Sequence, residues 1–219
     1  MVSVMLDGQA HTAGELARAA GVASGTASGH LAVLLASGIV TRRREGRFHH
    51  FRITDARIAA ALESLARPQD TPVTSLRMSR EQQRVRAART CYDHLAGQLG
   101  VALTRLLVDR GWCTPTLDQV LPAGTPGLAS FGIDVVTLRQ QRRTLVRACL
   151  DWTERVDHAA GAVGAELATT ALGRGWVTRV HGSRGLRITP SGTAALDRLG
   201  IHLLTAAQEE ADRNTAGRS

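Results

Sequence analysis

The chain has 219 residues, room for one large domain or two small ones, with 43% hydrophobic and only 3% aromatic residues, an ordinary soluble composition. Its 27 basic residues against 19 acidic ones give +8, and all 27 are Arg because the sequence holds no Lys. Three cysteines, Cys91, Cys113 and Cys149, do not make a disulfide framework, no signal-peptide pattern opens the chain, and no uncharged run is apolar enough to span a bilayer. A cytoplasmic protein with reduced thiols is expected, and a disulfide-rich secreted module or a membrane protein is not. A Lys-free, Ala- and Gly-rich composition also follows from a GC-rich genome, so the clustering of charge matters more than its total.

In chain order, residues 12–20 carry a helical pattern, with Thr12 and Glu15 spaced as a capping box and Gly21 as the stop. After a Gly21-Val22-Ala23 turn, Ser24 is placed to cap a second helix whose apolar Ala27, Leu31, Leu34 and Leu35 recur at helical spacing until Gly38. Two helices across so tight a turn make a helix-turn-helix. Residues 39–44 and 47–53 flank Glu45-Gly46 as the strands of a hairpin wing, and a helix is expected over 55–66. Pro68 and Pro72 then break the pattern, which predicts a winged domain over 1–67, a linker over 68–78 and a dimerisation or effector domain over 79–219.

Beyond the linker a helix is expected from Ser79 through Cys91 and His94 to Gly111. The chain then repeats itself: the segment from Tyr92 to Trp112 matches that from Val156 to Trp176 at a constant offset of 64, with nine identities that include Asp-His, two Gly and Arg-Gly-Trp. This predicts an internal duplication with halves of about 79–133 and 139–200. The second half continues into a hairpin over 176–189 and a helix capped by Thr189 with Pro190 at its first position, whereas Pro115, Pro122 and Pro126 erode that hairpin in the first half. The fold expected is mainly α with short β-hairpin wings, a winged helix-turn-helix followed by a duplicated helical domain. Trp112 and Trp176, each after Arg-Gly at a helix end, read as core plugs.

A helix-turn-helix with a wing suits duplex DNA, because its second helix fits the major groove and the wing sets cations beside the backbone. The outward positions of the second helix are small or polar: Ser24, Gly25, Thr26, Ser28, Gly29 and His30. Arg42, Arg43, Arg44, Arg47 and Arg52 against Glu45 leave +4 on the hairpin, with His49 and His50 beside them. Exposed Arg on a hairpin also guards a sheet edge against aggregation, but the ordered set of capped helix, short turn, small-residue helix and basic wing favours DNA.

The residues Gly14-Glu-Leu-Ala17, Thr26-Ala-Ser-Gly-His-Leu31, Gly38-Ile-Val-Thr41, Gly46-Arg47 and His50-Phe-Arg-Ile53 resemble the winged helix of the ArsR/SmtB family of bacterial regulators, over residues 1 to about 66. The resemblance implies a homodimer on a palindromic double-stranded operator, usually a repressor released by a metal or another inducer. Arg89-Thr-Cys-Tyr-Asp-His-Leu-Ala-Gly97 and the later Cys149-x-Asp-Trp-x-Glu-Arg155 resemble extended members of that family, whose inducer the resemblance does not fix. Two departures stand out. Members carry one or two more helices before the segment that starts here at Met1, so either the chain starts at an internal Met or its C-terminal domain replaces that packing. Leu16-Ala17-Arg18-Ala19 stands where the family's Cys-x-Cys pattern would be, and the helix over 55–66 holds no His or Cys, so neither usual metal site carries over.

Cysteine and histidine gather elsewhere. Cys91 and His94 share one face if they lie on a helix, as do Asp151, Glu154 and His158, with Cys149 two residues before that second face. A pseudo-two-fold axis would bring Cys91, His94, Cys149 and His158 around one soft divalent ion such as zinc, cadmium or lead. Equally, each Asp-His pair can serve only to pin its own element and the cysteines can be buried hydrophobes, since Cys91 aligns with Arg155 at the offset of 64. Two further basic runs, Arg80, Arg84, Arg86 and Arg89, and Arg139, Arg142, Arg143 and Arg147, offer extra phosphate contacts or plain solvated faces. An enzyme built on Cys91 and His94 is disfavoured by the absence of a phosphate loop, a Gly-x-Ser-x-Gly elbow or a His-Glu-x-x-His motif, and a protein-docking module remains the other rival to a regulator.

Overall fold

The computed structural model describes residues 1–45, 48–65 and 76–203. The Gly46-Arg47 wing tip and the boundary expected at Pro68 lie outside the described residues. The N-terminal part runs α1 (Val2–Met5), β1 (His11–Thr12), α2 (Ala13–Ala20), α3 (Ser24–Ala36), β2 (Val40–Glu45), β3 (Phe48–Ile53) and α4 (Ala56–Leu65). Thr12 and Glu15 form the expected capping box: the Thr12 hydroxyl accepts from the Glu15 amide at 3.3 Å, and the Thr12 amide donates to the Glu15 carboxylate at 2.8 Å. Gly21 closes α2 in the left-handed conformation, with φ 65°, which a residue with a Cβ adopts only under strain. The turn that follows uses the Ala23 carbonyl, which accepts from the Ala27 amide at 3.0 Å, so Ala23 is the N-cap and Ser24 is already helical rather than capping. The axes of α2 and α3 are bent by 109° across that turn, the geometry of a helix-turn-helix.

Strands β1, β3 and β2 pair antiparallel in that order, with Arg42 opposite Phe51 and Glu45 opposite Phe48. Alternation places Val40, Phe51 and Ile53 inward with Met5, Leu6, Leu16, Leu31 and Ala59, one core that fixes α3 against the sheet. Each of these large side chains stabilises the domain by about 1.5–3 kcal/mol on burial.

The C-terminal part runs α5 (Leu76–Ala87), β4 (Arg89–Cys91), β5 (His94–Ala96), α6 (Gly97–Asp109), α7 (Gly124–Ala129), α8 (Val135–Arg139), β6 (Arg147–Leu150), β7 (Asp157–Ala160), α9 (Gly161–Gly173), β8 (Val177–Arg179), β9 (Leu186–Ile188) and α10 (Pro190–Arg198). Three expectations are corrected here. The helix expected from Ser79 to Gly111 is instead α5, a tight hairpin and α6. All six hairpin-strand residues, Arg89–Cys91 and His94–Ala96, are buried on both faces, so no alternation marks them as strands in the sequence. Cys91 and His94 are therefore cross-strand partners, not neighbours on a helix. Asp151, Glu154 and His158 do not share a helix face: Asp151 and Glu154 lie in the turn between β6 and β7, and His158 lies on β7. The second basic run is spread over several elements: α8 ends at Arg139, Arg142 and Arg143 follow it, and Arg147 opens β6.

Each hairpin feeds a helix, and the two helices start and end 64 residues apart. Helix α9 packs on β5 and α6 on β7, with β5 beside β7, so each helix packs on the strand that precedes the other. Gly100 and Gly164 occupy equivalent places, where a Cβ would come within 2.4 Å of the Leu95 and Ala159 carbonyl oxygens. Trp112 is buried and Trp176 half-buried against the core of α6 to α9, with Phe131 edge-on to both. Thr189 caps α10 through the Gly192 amide, with Pro190 in the first turn, as expected. Among the described residues no single helix is long and apolar enough to cross a membrane.

Candidate functional site

The first face is built on α3 and the wing. Ala27 and Leu31 point into the core, which turns Ser24, Gly25, Thr26, Ser28, Gly29 and His30 outward, and all six are exposed. The Ser28 hydroxyl donates to the Ser24 carbonyl at 2.9 Å, so in this rotamer it offers acceptor lone pairs outward. On the wing Arg42, Arg43, Arg44 and His49 are exposed, and Arg43 lies 3.4 Å from Glu45. Cross-strand register sets Arg44 opposite His49 and Arg43 opposite His50, so the basic side chains divide between the two faces of the hairpin. Arg47 lies outside the described residues. Small side chains at the helix start and cations on a projecting hairpin are what close approach to a groove and its phosphates requires.

The second face is internal. Cys91 pairs with His94 across one hairpin and Cys149 with His158 across the other. The two hairpins bring one ligand atom from each of Cys91, His94, Cys149 and His158 within 4.8 Å of every other, with all four residues buried. The thiol sulfurs are 3.8 Å apart and the imidazole rings stack with centroids 5.0 Å apart. The Cys91 thiol and the imidazoles of His158 and His94 pull the Cys149 thiol well below the ordinary range, while the Cys149 sulfur and burial push Cys91 up. Burial alone would lower His94, but Asp93, with Cys149, raises it. Cys113 sits apart in the helical core, where burial pushes its thiol to about 11. Two thiols and two imidazoles are a donor set for a soft or borderline metal.

No family model matches the chain. The chain is 38% identical over 197 residues, covering 89% of itself and 87% of the relative, to a protein of Bacillus subtilis (strain 168) described as an uncharacterized HTH-type transcriptional regulator, YdfF. The chain belongs to the HTH-type transcriptional regulators.

In this regulator the two faces are joined by contacts between residues far apart in the chain, from Leu6 and Glu63 to Asp151 and Arg184. Arg89, expected among the phosphate-binding candidates, is fully buried: its Nη2 donates to Asp151 Oδ1 at 2.9 Å and lies 3.5 Å from Glu63 of α4. Arg184 reaches the other oxygen of Glu63 at 2.5 Å, and both guanidiniums lie over Trp152. Two cations and two anions thus neutralise one another beneath the regulator's winged helix. Asp151 also accepts from the Gly97 and Thr153 amides, and although burial opposes it, the Arg89 charge with these bonds holds its carboxyl well below the usual range. Tyr92, between Cys91 and His94, donates its amide to the Leu6 carbonyl at 2.5 Å and packs against the core of the winged helix. The signal for the paired hairpins was present as Arg89-Thr-Cys91 and Arg147-Ala-Cys149 at an offset of 58. The offset changes from 58 at the cysteines to 64 at the histidines because eight residues separate Cys149 from His158 and two separate Cys91 from His94, so no single offset aligns both pairs.

Proposed function

We propose that this regulator is a winged-helix repressor of the ArsR/SmtB type that binds a palindromic operator as a homodimer and is released by a small inducer, a metal ion or an organic molecule, acting through its duplicated C-terminal part. The observation that carries the reading is the exposed face of α3, with no large side chain from Ser24 to Gly29, beside the Arg42, Arg43 and Arg44 wing. On this reading Thr26, Ser28 and His30 read base edges in the major groove, Ser24 and Gly29 permit the approach, and the wing arginines with Arg47 and His49 contact phosphate. The resemblance of residues 1–66 to that family and the match to a transcriptional regulator support it; the matching hairpin-helix pairs support the duplication.

Footprinting on duplexes tiled from the region upstream of its own coding sequence tests the proposal. Protection of two half-sites with dyad symmetry, about ten base pairs apart from centre to centre or a multiple of that, with two protomers bound, is the expected result. Uniform coverage without half-sites, or one protomer per site, contradicts the homodimeric operator-binding reading.

A further inference from the structure

A buried polar atom without a partner is costly, and the Cys/His cluster holds three of them: His94 Nε2 and both ring nitrogens of His158. His94 is 2% exposed and His158 fully buried. We propose that Cys91, His94, Cys149 and His158 bind one soft or borderline divalent cation, of the zinc and cadmium class, and that the winged helix senses its binding through the β4–β5 hairpin.

The donor set fits such an ion, since two thiolates and two neutral imidazoles make a closed tetrahedral site, whereas magnesium and calcium require oxygen ligands. The sulfur separation fits as well. Zinc–sulfur bonds of about 2.3 Å at a tetrahedral angle set two sulfurs about 3.8 Å apart, and Cys91 and Cys149 stand 3.8 Å apart. The other ligand atoms are within 4.8 Å, so ligation draws the hairpins together by less than the width of an atom. Each imidazole turns its Nδ1 towards a carboxylate, His94 to Asp93 at 3.2 Å and His158 to Asp151 at 3.7 Å, which leaves Nε2 to face the ion. Asp93 is itself clamped by Arg143 through two hydrogen bonds of 2.6 and 3.1 Å. The thiol protons displaced on binding pass to solvent.

The route to the winged helix is short. Cys91 and His94 bracket the Tyr92-Asp93 turn, Tyr92 is bonded to Leu6, and Gly8 lies so near the turn that a Cβ there would come within 2.1 Å of the Tyr92 carbonyl oxygen. Met5 and Leu6 share one core with Leu31 of α3. Drawing Cys91 and His94 towards their partners therefore shifts a turn locked to the packing behind the outward face of α3. This second half of the proposal rests on the reading of the chain as a DNA-binding repressor.

The test uses the full-length protein, stripped with a chelator under reducing conditions and titrated with cobalt(II), then zinc(II), with magnesium as the control. One cobalt per chain, with the intense visible bands of a tetrahedral thiolate site, displaced by one zinc and not by magnesium, is expected. The paired change Cys149→Ser and His158→Ala should weaken uptake at least 100-fold, while Cys113→Ser should leave it intact. No ion taken up by stripped protein that circular dichroism shows to be folded, or a Cys91–Cys149 disulfide persisting under reductant in its place, overturns the site without recourse to a variant. Duplexes tiled from the upstream region then report coupling: a change of at least fivefold in affinity on zinc loading is expected, and equal affinity overturns the sensing half. If neither stripped nor loaded protein discriminates among these duplexes, the repressor reading fails and, with it, the sensing half, while the metal stoichiometry alone decides the site.

Discussion

Arg89 shows why a residue's charge does not tell its role. In the sequence it closes a run of arginines available to phosphate; in the fold it is fully buried between Asp151 and Glu63. Removing one member of a buried ion network leaves its partners uncompensated, so Arg89→Ala should destabilise the protein by about 3–5 kcal/mol. Urea unfolding checks this, and a destabilisation below about 1 kcal/mol would show that the network is idle. On the outer face the expectation is opposite in kind. Ser28 and His30 are exposed, so truncating them should cost little stability but lower the discrimination of operator from random DNA by about 1–3 kcal/mol for each base no longer read. Competition binding with Ser28→Ala and His30→Ala measures this, and full discrimination in both variants would remove α3 from the major groove.

At the scale of elements, the wing and the N-terminal turn make separate predictions. If Arg42, Arg43 and Arg44 neutralise phosphates, replacing all three by Ala weakens binding to every duplex and flattens the logarithmic salt slope by about 0.9 for each phosphate left un-neutralised. An unchanged slope would place the wing away from the backbone. The N-terminal turn is held by His11 and Asp7, whose side chains meet at 2.9 Å. The hydrogen bond to Asp7 outweighs burial and raises the His11 pKa above its ordinary 6.5. A group with a raised folded pKa contributes its stability in full below the unfolded value and loses it as pH rises through the folded value. The stability difference between the parent and His11→Gln should therefore be largest below the ordinary histidine value and shrink as pH rises above it. Unfolding midpoints on either side of that value decide it; a difference that grows with pH would reverse the assignment.

Across the whole molecule, the winged helix was legible because its signals are local: a capping box at Thr12 and Glu15, a glycine stop, helical spacing of Ala27 and Leu31, and two short strands rich in Arg. In the C-terminal part the offset of 64 between α6 and α9 was legible but the hairpins before them were not, since β4 and β5 are buried throughout and carry no period, and eight residues separate Cys149 from His158 where two separate Cys91 from His94. The four cluster residues were nevertheless named from the sequence, though for a helical geometry that the fold replaces with two cross-strand pairs. What no local pattern carried was the joint between the parts, Tyr92 on Leu6 and Glu63 between two arginines, because it depends on residues far apart in sequence. The central claim is that the exposed faces of α3 and the wing form a sequence-reading surface. Its most direct measurement is the ratio of affinities for the protected upstream duplex and for a shuffled duplex of the same composition, at about 150 mM salt. The account predicts a ratio of about a thousand or more, and a ratio near one would contradict it.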